Sequence, residues 1–194
     1  YIRRQEELEK IAKACRIVGV VLNGLRDVVK PGCSTGQLEK KAEEIIEKEG
    51  AQSAFKGYRG YPASICTSLN NVVVHGIPSA RQFIKEGDLI GLDVGVKYQN
   101  YYGDGAITLP VGNVDAEIDK LIKVTQKALN IAISKATAGN RVGDISGAIQ
   151  AYVEGNGFSV VRDYVGHGIG ANMHEEPAIP NFGKSGAGAR LKNG

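Results

Sequence analysis

The sequence predicts an α+β fold built from two related halves, and an internal repeat, a hairpin and the placement of glycines support this. When the 194-residue chain is shifted by 107 positions, residues 11–50 align without a gap on residues 118–157. Apolar residues recur at helical spacing in both copies, for example Leu22 with Leu129 and Leu38 with Ile145. We therefore expect each half to contain two helices followed by strands.

Glycines and a capping sequence set the limits of these helices. Gly32, Gly36 and Gly50 each coincide with a glycine 107 positions later, at Gly139, Gly143 and Gly157. They mark the turn between the helices and the stop after the second helix. Ser34 and Gln37 are spaced as a capping box, which predicts that the second helix begins at this point.

Strands are expected after the first helix pair, over about residues 64–74 and then in a hairpin. The hairpin strands are predicted from Leu89 to Val96 and from Gly105 to Val111, because both segments are alternating or apolar. A turn centred between Tyr98 and Gln99 would join them.

This turn would place Asp93 directly opposite Asp104. Like charges in that position cost stability unless something neutralises them. A shared pair of aspartates can hold two divalent ions, so the hairpin predicts a metal site. The alternative is two solvated aspartates flanking a turn.

Composition and charge exclude several classes of protein. The chain is 42% hydrophobic and 23% charged, which is typical of a soluble globular protein, and its net charge of +3 is too slight to indicate nucleic-acid binding. Three cysteines without CxxC spacing indicate neither a disulfide framework nor a structural zinc site. No apolar stretch reaches membrane-span length, and the amino end is a charged helix without a signal-peptide core. We expect a cytoplasmic protein.

The second copy of the repeat extends past the last residue of the sequence. A strand over residues 158–165 is expected there, and the shift of 107 places a second hairpin near positions 200–211, whereas the chain ends at Gly194. We therefore expect a chain that lacks its C-terminal strands, and we expect the missing hairpin to supply further metal ligands.

Three histidines lie among glycines, prolines or acids, outside the helical patterns. His167 lies in YVGHGIG, where the flanking glycines allow close approach, and it is the third expected metal ligand. His75 and His174 are expected to handle protons or to hydrogen-bond substrate. The alternative for a histidine at a strand end is a surface or structural role.

Three motifs in register carry a resemblance to a known family. NNVVVHGIP, LDVGVKYQNYYGDGAIT and GHGIGANMHEEP resemble the signatures of type I methionine aminopeptidases, which have the pita-bread fold, and the resemblance covers essentially the whole chain. It implies two pseudo-symmetric ααβ halves around a curved antiparallel sheet, the second half incomplete. The expected organisation is one catalytic domain over residues 1–194, with pseudo-repeats at about 11–110 and 118–194.

The resemblance implies that Asp93, Asp104 and His167 are three of five ligands to two divalent ions, which could be Co, Mn, Fe or Zn. Asp104 would ligate both ions and Asp93 one of them. The other two ligands are glutamates downstream, the first near position 200. His75 and His174 would be the catalytic histidines, hydrogen-bonded to the scissile amide and its developing oxyanion.

Substrate contacts are also implied by the resemblance. Besides the two catalytic histidines, Tyr58, Tyr61, Cys66 and Met173 would bind the methionine side chain, although Met173 stands where the family is often aromatic. Asn70 and Val72 resemble carbonyl donors to a monovalent cation.

The implied reaction removes the initiator methionine from new proteins. The partners would be the N-terminal peptides of nascent chains, with the ribosome as one place of encounter and with no nucleic acid or membrane. We expect a monomer.

Two rival functions use the same motifs. One is a prolidase or Xaa-Pro aminopeptidase, which shares the ligands but carries an additional N-terminal domain. The other is a non-catalytic relative that binds peptides or proteins, usually with replaced ligands. With three ligands of five, the isolated chain is expected to be inactive or nearly so.

Overall fold

The structure, a computed structural model, describes residues 2–194, which form two compact units. The first unit comprises residues 6–115 and 170–173, and the second comprises residues 2–5, 116–169 and 174–194. Each unit contains a pair of helices followed by strands, which is the order that the repeat predicts. Within the described range, no helix is both long and apolar enough to cross a membrane.

Helices α1 (Gln5–Arg26) and α2 (Thr35–Lys48) form the first pair. One face of α1 is buried through Ala14, Ile17, Val18, Val21 and Leu25. The predicted capping box of α2 is confirmed: the Ser34 hydroxyl accepts a hydrogen bond from the Gln37 backbone N–H at 3.3 Å, and the Gln37 side chain accepts one from the Ser34 N–H at 2.8 Å. These bonds satisfy backbone donors that the first helical turn would otherwise leave unpaired.

The sheet of the first unit is centred on its longest pair of strands. Strands β1 (Gln52–Ser53), β2 (Cys66–Leu69) and β4 (Tyr101–Pro110) all pair antiparallel with β3 (Leu89–Tyr98). Four side chains at even-numbered positions of β3 are fully buried, namely Ile90, Leu92, Val94 and Val96. They form one hydrophobic core with the buried faces of α1 and α2.

Glycines on β4 let helix α1 approach this face closely. Gly103 lies opposite Val96, and a Cβ atom at Gly103 would lie 2.6 Å from the carbonyl carbon of Ala14. At Gly105 a Cβ would lie 3.2 Å from a methyl group of Val18. The helix therefore rests on backbone at Gly103, and only glycine fits there.

The predicted register of the hairpin is wrong by two residues. Asp93 pairs with Ala106 and Gly95 pairs with Asp104, so the two aspartates are diagonal neighbours and do not lie directly opposite each other. The turn is the two-residue loop Gln99 and Asn100, whose φ angles of 47° and 66° are those of a type I′ turn. Because a shift of two residues keeps every side chain on its own face, both aspartates still share one face.

We call Asp93, Gly95, Asp104 and Ala106 the carboxylate face. Alternation along β3 and β4 places these residues on the side of the hairpin opposite the buried core residues. The packing of the helices therefore fixes the strands without covering the carboxylates.

Two predicted strands are shorter than expected or absent. The strand predicted over residues 64–74 is β2 alone, and residues 70–78 form a loop. The strand predicted over residues 158–165 is wrong, because these residues are irregular. The side-chain amide of Asn181 donates to the carbonyls of Val161 at 3.0 Å and Tyr164 at 3.1 Å, so a side chain occupies these acceptors.

The second unit contains α3 (Ala116–Lys135), α4 (Val142–Gly155) and the antiparallel pair β5 (Gly166–Gly168) and β6 (Glu175–Ile179). The bounds of α4 are those of α2 shifted by 107 residues. Helices α3 and α4 bury one face each, at Val124, Ala128, Ala132, Val142 and Ile145.

Backbone hydrogen bonds repeat between the units at the same spacing of 107. The Gly32 N–H donates to the Ile84 carbonyl at 2.8 Å, and the Gly139 N–H donates to the Leu191 carbonyl at 3.0 Å. Other bonds around the start of the second helix recur in the same way, namely Thr35 to Gln82 with Val142 to Ala189, and Ile84 to Cys33 with Leu191 to Asn140. The repeat thus extends to individual backbone contacts, which helical periodicity does not require.

The close approach at Gly103 predicts opposite effects for two glycine-to-alanine changes. Gly103→Ala should lower the free energy of unfolding by about 1–3 kcal/mol, because the new methyl group meets the backbone of α1. Gly19→Ala, in α1 with open space around its Cβ, should raise it by about 0.5–1 kcal/mol. Urea unfolding of both variants measures the difference, and equal midpoints would contradict the packing described.

Candidate metal and active site

Asp93 and Asp104 form a coupled pair of carboxyl groups on the carboxylate face. Burial, the charge of Asp104 and a hydrogen bond with Asp104 together raise the pKa of Asp93 to about 7. The Val94 backbone N–H opposes this shift. Near neutral pH the pair therefore retains a proton that an ordinary aspartate would have lost. A divalent cation can replace that proton, and carboxylate oxygens are suitable hard ligands. The residues present therefore fit a divalent metal.

Residues of neighbouring elements lie around Asp93. Cys66 of β2 lies directly opposite Asp93, and Ala106 of β4 lies on its other side. Phe55 covers Gly95, where a Cβ would lie 2.3 Å from the phenyl ring. Asp93 thus lies on a strand that is paired on both sides, with the Phe55 ring over the neighbouring Gly95.

Tyr61 and Cys66 adjoin the carboxylate pair. Burial raises the pKa of the Cys66 thiol to about 11 although the hydrogen bond with Tyr61 opposes the shift, and Asp93 and Asp104 add to it. Burial also raises the pKa of Tyr61 well above its usual range. Both groups stay protonated at neutral pH, so the thiol is a small apolar surface and the phenol a hydrogen-bond donor.

The Tyr61 hydroxyl reaches two backbone carbonyls. Its oxygen lies 3.1 Å from the carbonyl oxygen of Ile65 and 3.0 Å from that of Gly76. Among the other predicted pocket residues, Tyr58 begins the short 3-10 helix Tyr58–Gly60 that precedes Tyr61, and Met173 is buried within the same unit.

His75 lies in the loop after β2, not at the end of a strand as predicted. Its side chain is exposed, and its backbone has φ of 60°, in the left-handed region. The adjacent predicted cation donors lie in the same loop: Asn70 has φ of 51°, and the Val72 N–H donates to the Leu69 carbonyl at 3.0 Å. Their role toward a monovalent cation stays a prediction.

His167 and His174 lie together in the second unit. Their ring centroids are 4.2 Å apart with the planes tilted by 38°. Nδ1 of His167 lies 2.9 Å from the Gly168 carbonyl oxygen. Because a carbonyl only accepts, Nδ1 carries the proton and the lone pair is on Nε2, which is the tautomer that a metal-binding histidine needs.

Glycine is required beside His167. A Cβ at Gly168 would lie 2.6 Å from the Glu176 carbonyl oxygen, and the pairing of β5 with β6 shifts between His167 and Gly168. This irregularity reorients the chain at the histidine.

Sequence reasoning missed the ion pair between Arg3 and Glu175. The Glu175 side chain is 6% exposed and accepts a hydrogen bond from Arg3, which is 15% exposed. Glu175 directly follows His174, so this pair anchors the strand beside that histidine. The partners are 172 residues apart in sequence, and no local pattern connects them.

The structure brings together Asp93 with Asp104 in the first unit and His167 with His174 in the second. In the part of the chain that it describes, no group of three or more His, Cys, Asp or Glu side chains is arranged to hold a metal ion. Joint coordination by Asp93, Asp104 and His167 therefore stays a prediction, as do the two glutamates expected beyond position 194.

Comparison with known proteins gives the class to which this site belongs. A family model described as Metallopeptidase family M24 matches residues 9–194. The chain is 49% identical over 193 residues to a methionine aminopeptidase of Clostridium acetobutylicum, covering 100% of this chain and 77% of that protein. It superposes on a solved methionine aminopeptidase from Thermotoga maritima with a TM-score of 0.97 and 44% identity, covering 99% of this chain and 77% of the other.

A more distant likeness concerns the fold alone. A prolidase from Pyrococcus horikoshii matches with a TM-score of 0.81 at 21% identity, covering 94% of this chain and 51% of that one. The two methionine aminopeptidases are much more similar in sequence and are matched over a larger share of their length. The chain therefore belongs to metallopeptidase family M24 and, within it, to the type I methionine aminopeptidases.

The raised pKa of Asp93 predicts a pH-dependent stability in the metal-free chain. Its pKa of about 7 when folded exceeds the ordinary aspartate value, so the folded state binds the extra proton and loses stability as pH rises toward 7. Asp104→Asn removes one charge, and should raise the free energy of unfolding at pH 8 by on the order of 1 kcal/mol, with a smaller effect at pH 5.

Urea unfolding with a chelator at both pH values measures this effect. Asp115→Asn, at an exposed position, is the control and should show no such difference between the two pH values. A loss of stability by Asp104→Asn that is equal at both pH values would contradict the carboxylate repulsion.

Proposed function

We propose that this chain carries the site that removes the initiator methionine from newly made proteins by metal-assisted hydrolysis. The carboxylate pair is the observation that carries the proposal, since it joins two acidic oxygen donors on rigid strands to an adjoining tyrosine and thiol. When bound, divalent ions would supply an activated water and would polarise the carbonyl of the first peptide bond.

The proposed ligands are Asp93, Asp104 and His167. Asp104 is assigned to both ions and Asp93 to one, and two glutamates beyond position 194 complete the set. The tautomer of His167 supports its role, because the Gly168 carbonyl takes the Nδ1 proton and leaves the lone pair on Nε2. Carboxylate and imidazole ligands accept Co, Mn, Fe and Zn, so the donor set does not select one of them.

The methionine side chain is assigned to the space beside the carboxylates, with Tyr58, Tyr61, Cys66 and Met173 as its contacts. A protonated thiol and an aromatic ring suit an unbranched thioether, because sulfur packs favourably against aromatic edges. Phe55 belongs with these residues, since its ring already covers Gly95 of the carboxylate face.

His75 and His174 are assigned to the reacting groups. Imidazole N–H groups can donate hydrogen bonds to the developing oxyanion and can deliver a proton to the departing amine. The exposed side chain of His75 and the exposed side chain of His174 are accessible to a peptide substrate.

The finer architecture and setting are part of the same proposal. Recurrence of backbone hydrogen bonds at a spacing of 107 residues supports two pseudo-symmetric halves, the second completed by a hairpin equivalent to β3 and β4. The substrates are the amino ends of nascent chains in the cytoplasm, met at the ribosome, and the protein acts as a monomer without nucleic acid or membrane.

A chimera tests this proposal together with the expected dependence on downstream ligands. The residues of the Clostridium acetobutylicum protein that follow its aligned region are joined after Gly194, and methionine release from Met-Gly-Met is measured with added Mn²⁺ or Co²⁺. The chimera should release methionine, and the 194-residue chain alone should release little or none. Asp104→Asn in the chimera should reduce release by on the order of 100-fold or more, while Asp115→Asn should not.

An Ala-Pro peptide distinguishes the rival reaction. Hydrolysis of Ala-Pro in preference to Met-Gly-Met would favour a prolidase-type activity and contradict the proposal. A chimera that binds the peptide without cleaving it under any metal would favour the non-catalytic alternative.

A further inference from the structure

The direction of the His75 side chain depends on its backbone. His75 is exposed, and its φ of 60° places the residue in the left-handed region. A non-glycine residue is strained there and persists only where neighbouring groups hold it. The groups that hold Gly76, the next residue, therefore help to fix the backbone from which the imidazole projects.

Gly76, the residue after His75, is bound at both its backbone polar groups. The Gly76 N–H donates to the Ser68 hydroxyl at 3.2 Å. The Gly76 carbonyl accepts from the Thr67 N–H at 2.8 Å and from the Tyr61 hydroxyl at 3.0 Å. A Cβ at Gly76 would lie 2.2 Å from the Thr67 carbonyl oxygen, so only glycine permits the loop to approach β2 this closely.

We propose that the hydroxyl groups of Tyr61 and Ser68 are positioning groups for His75, acting through the backbone N–H and carbonyl groups of Gly76. The proposal rests on the function proposed for His75. The Tyr61 side chain then has two separate roles. Its ring contacts the methionine side chain, and its hydroxyl holds the loop that carries His75.

The surroundings of the two hydroxyls favour this role. Ser68 is 8% exposed and lies in β2, whose pairing with β3 fixes it opposite Gly91. The Tyr61 hydroxyl has one proton, for which the Ile65 carbonyl at 3.1 Å and the Cys66 sulfur compete. The two carbonyl acceptors of the Tyr61 hydroxyl belong to Ile65, which directly precedes β2, and to Gly76 in the loop after β2. Tyr61 therefore links the histidine loop to the strand that pairs with Asp93.

We call the hydrogen bonds from Tyr61 and Ser68 to the Gly76 backbone the clamp. Amide hydrogen exchange on the 194-residue chain tests it without requiring activity. Ser68→Ala removes the acceptor of the Gly76 N–H, and Tyr61→Phe removes a donor to the Gly76 carbonyl while keeping the ring. Each should speed exchange at the Gly76 amide by about 3- to 10-fold, which is the range for one net hydrogen bond. Tyr101→Phe, which deletes a hydroxyl that donates to Glu7 at 2.8 Å, is the matched control and should leave Gly76 unchanged.

Unchanged exchange at Gly76 in both Tyr61→Phe and Ser68→Ala, with the chain folded, would overturn the proposal. So would an equal increase in Tyr101→Phe, because the effect would then be general loosening. An effect confined to the two clamp variants supports it.

Kinetics of the methionine-releasing chimera test the link to His75. Tyr61→Phe should lower kcat by about 3- to 10-fold with KM changed less than about 2-fold. In a His75→Ala background, Tyr61→Phe should have no further effect on kcat, because the imidazole that Tyr61 positions is already absent. A raised KM with additive effects would mean that Tyr61 only lines the pocket, which would overturn the positioning role. If the unsubstituted chimera is inactive, the proposed function fails, and the exchange measurement still decides the clamp.

Discussion

The repulsion between two aspartates on neighbouring strands is the constraint on which the site depends. Asp93 and Asp104 would separate or protonate in a flexible loop, and here the strands prevent separation. The opposite face of β3 is fully buried under the helices, and Gly103 lets α1 rest directly on β4. The hydrophobic core therefore stabilises a pair of carboxylates that is unfavourable by itself, and a cation relieves the repulsion.

The same hairpin organises the residues around the carboxylates. Strand β2 sets Cys66 opposite Asp93 and begins next to Ile65, one of the two acceptors of the Tyr61 hydroxyl. The other acceptor, Gly76, follows His75. Cys66 lies in β2, Asp93 is paired with it, and the histidine loop follows it, so a change in β2 would reach all three.

Sequence periodicity was sufficient for the helices and for the face of each aspartate. The bounds of α4 follow from α2 by a shift of 107, and an error of two residues in the register left both carboxylates on one face. The register itself depended on the type I′ turn at Gln99 and Asn100, and the sequence lacks the glycine that usually marks it. Asn181 and the pair Arg3 with Glu175 act across long sequence separations, which periodicity cannot detect.

Proton release on metal binding tests most directly the claim that the carboxylate pair is a divalent metal site. Calorimetric titration of the 194-residue chain with Mn²⁺ at pH 7, in two buffers of different ionisation enthalpy, counts the protons displaced. With a pKa of about 7 at Asp93, the pair should release about half a proton on binding, and Asp104→Asn should abolish both binding and release. Binding without proton release, or binding that persists in Asp104→Asn, would contradict the account.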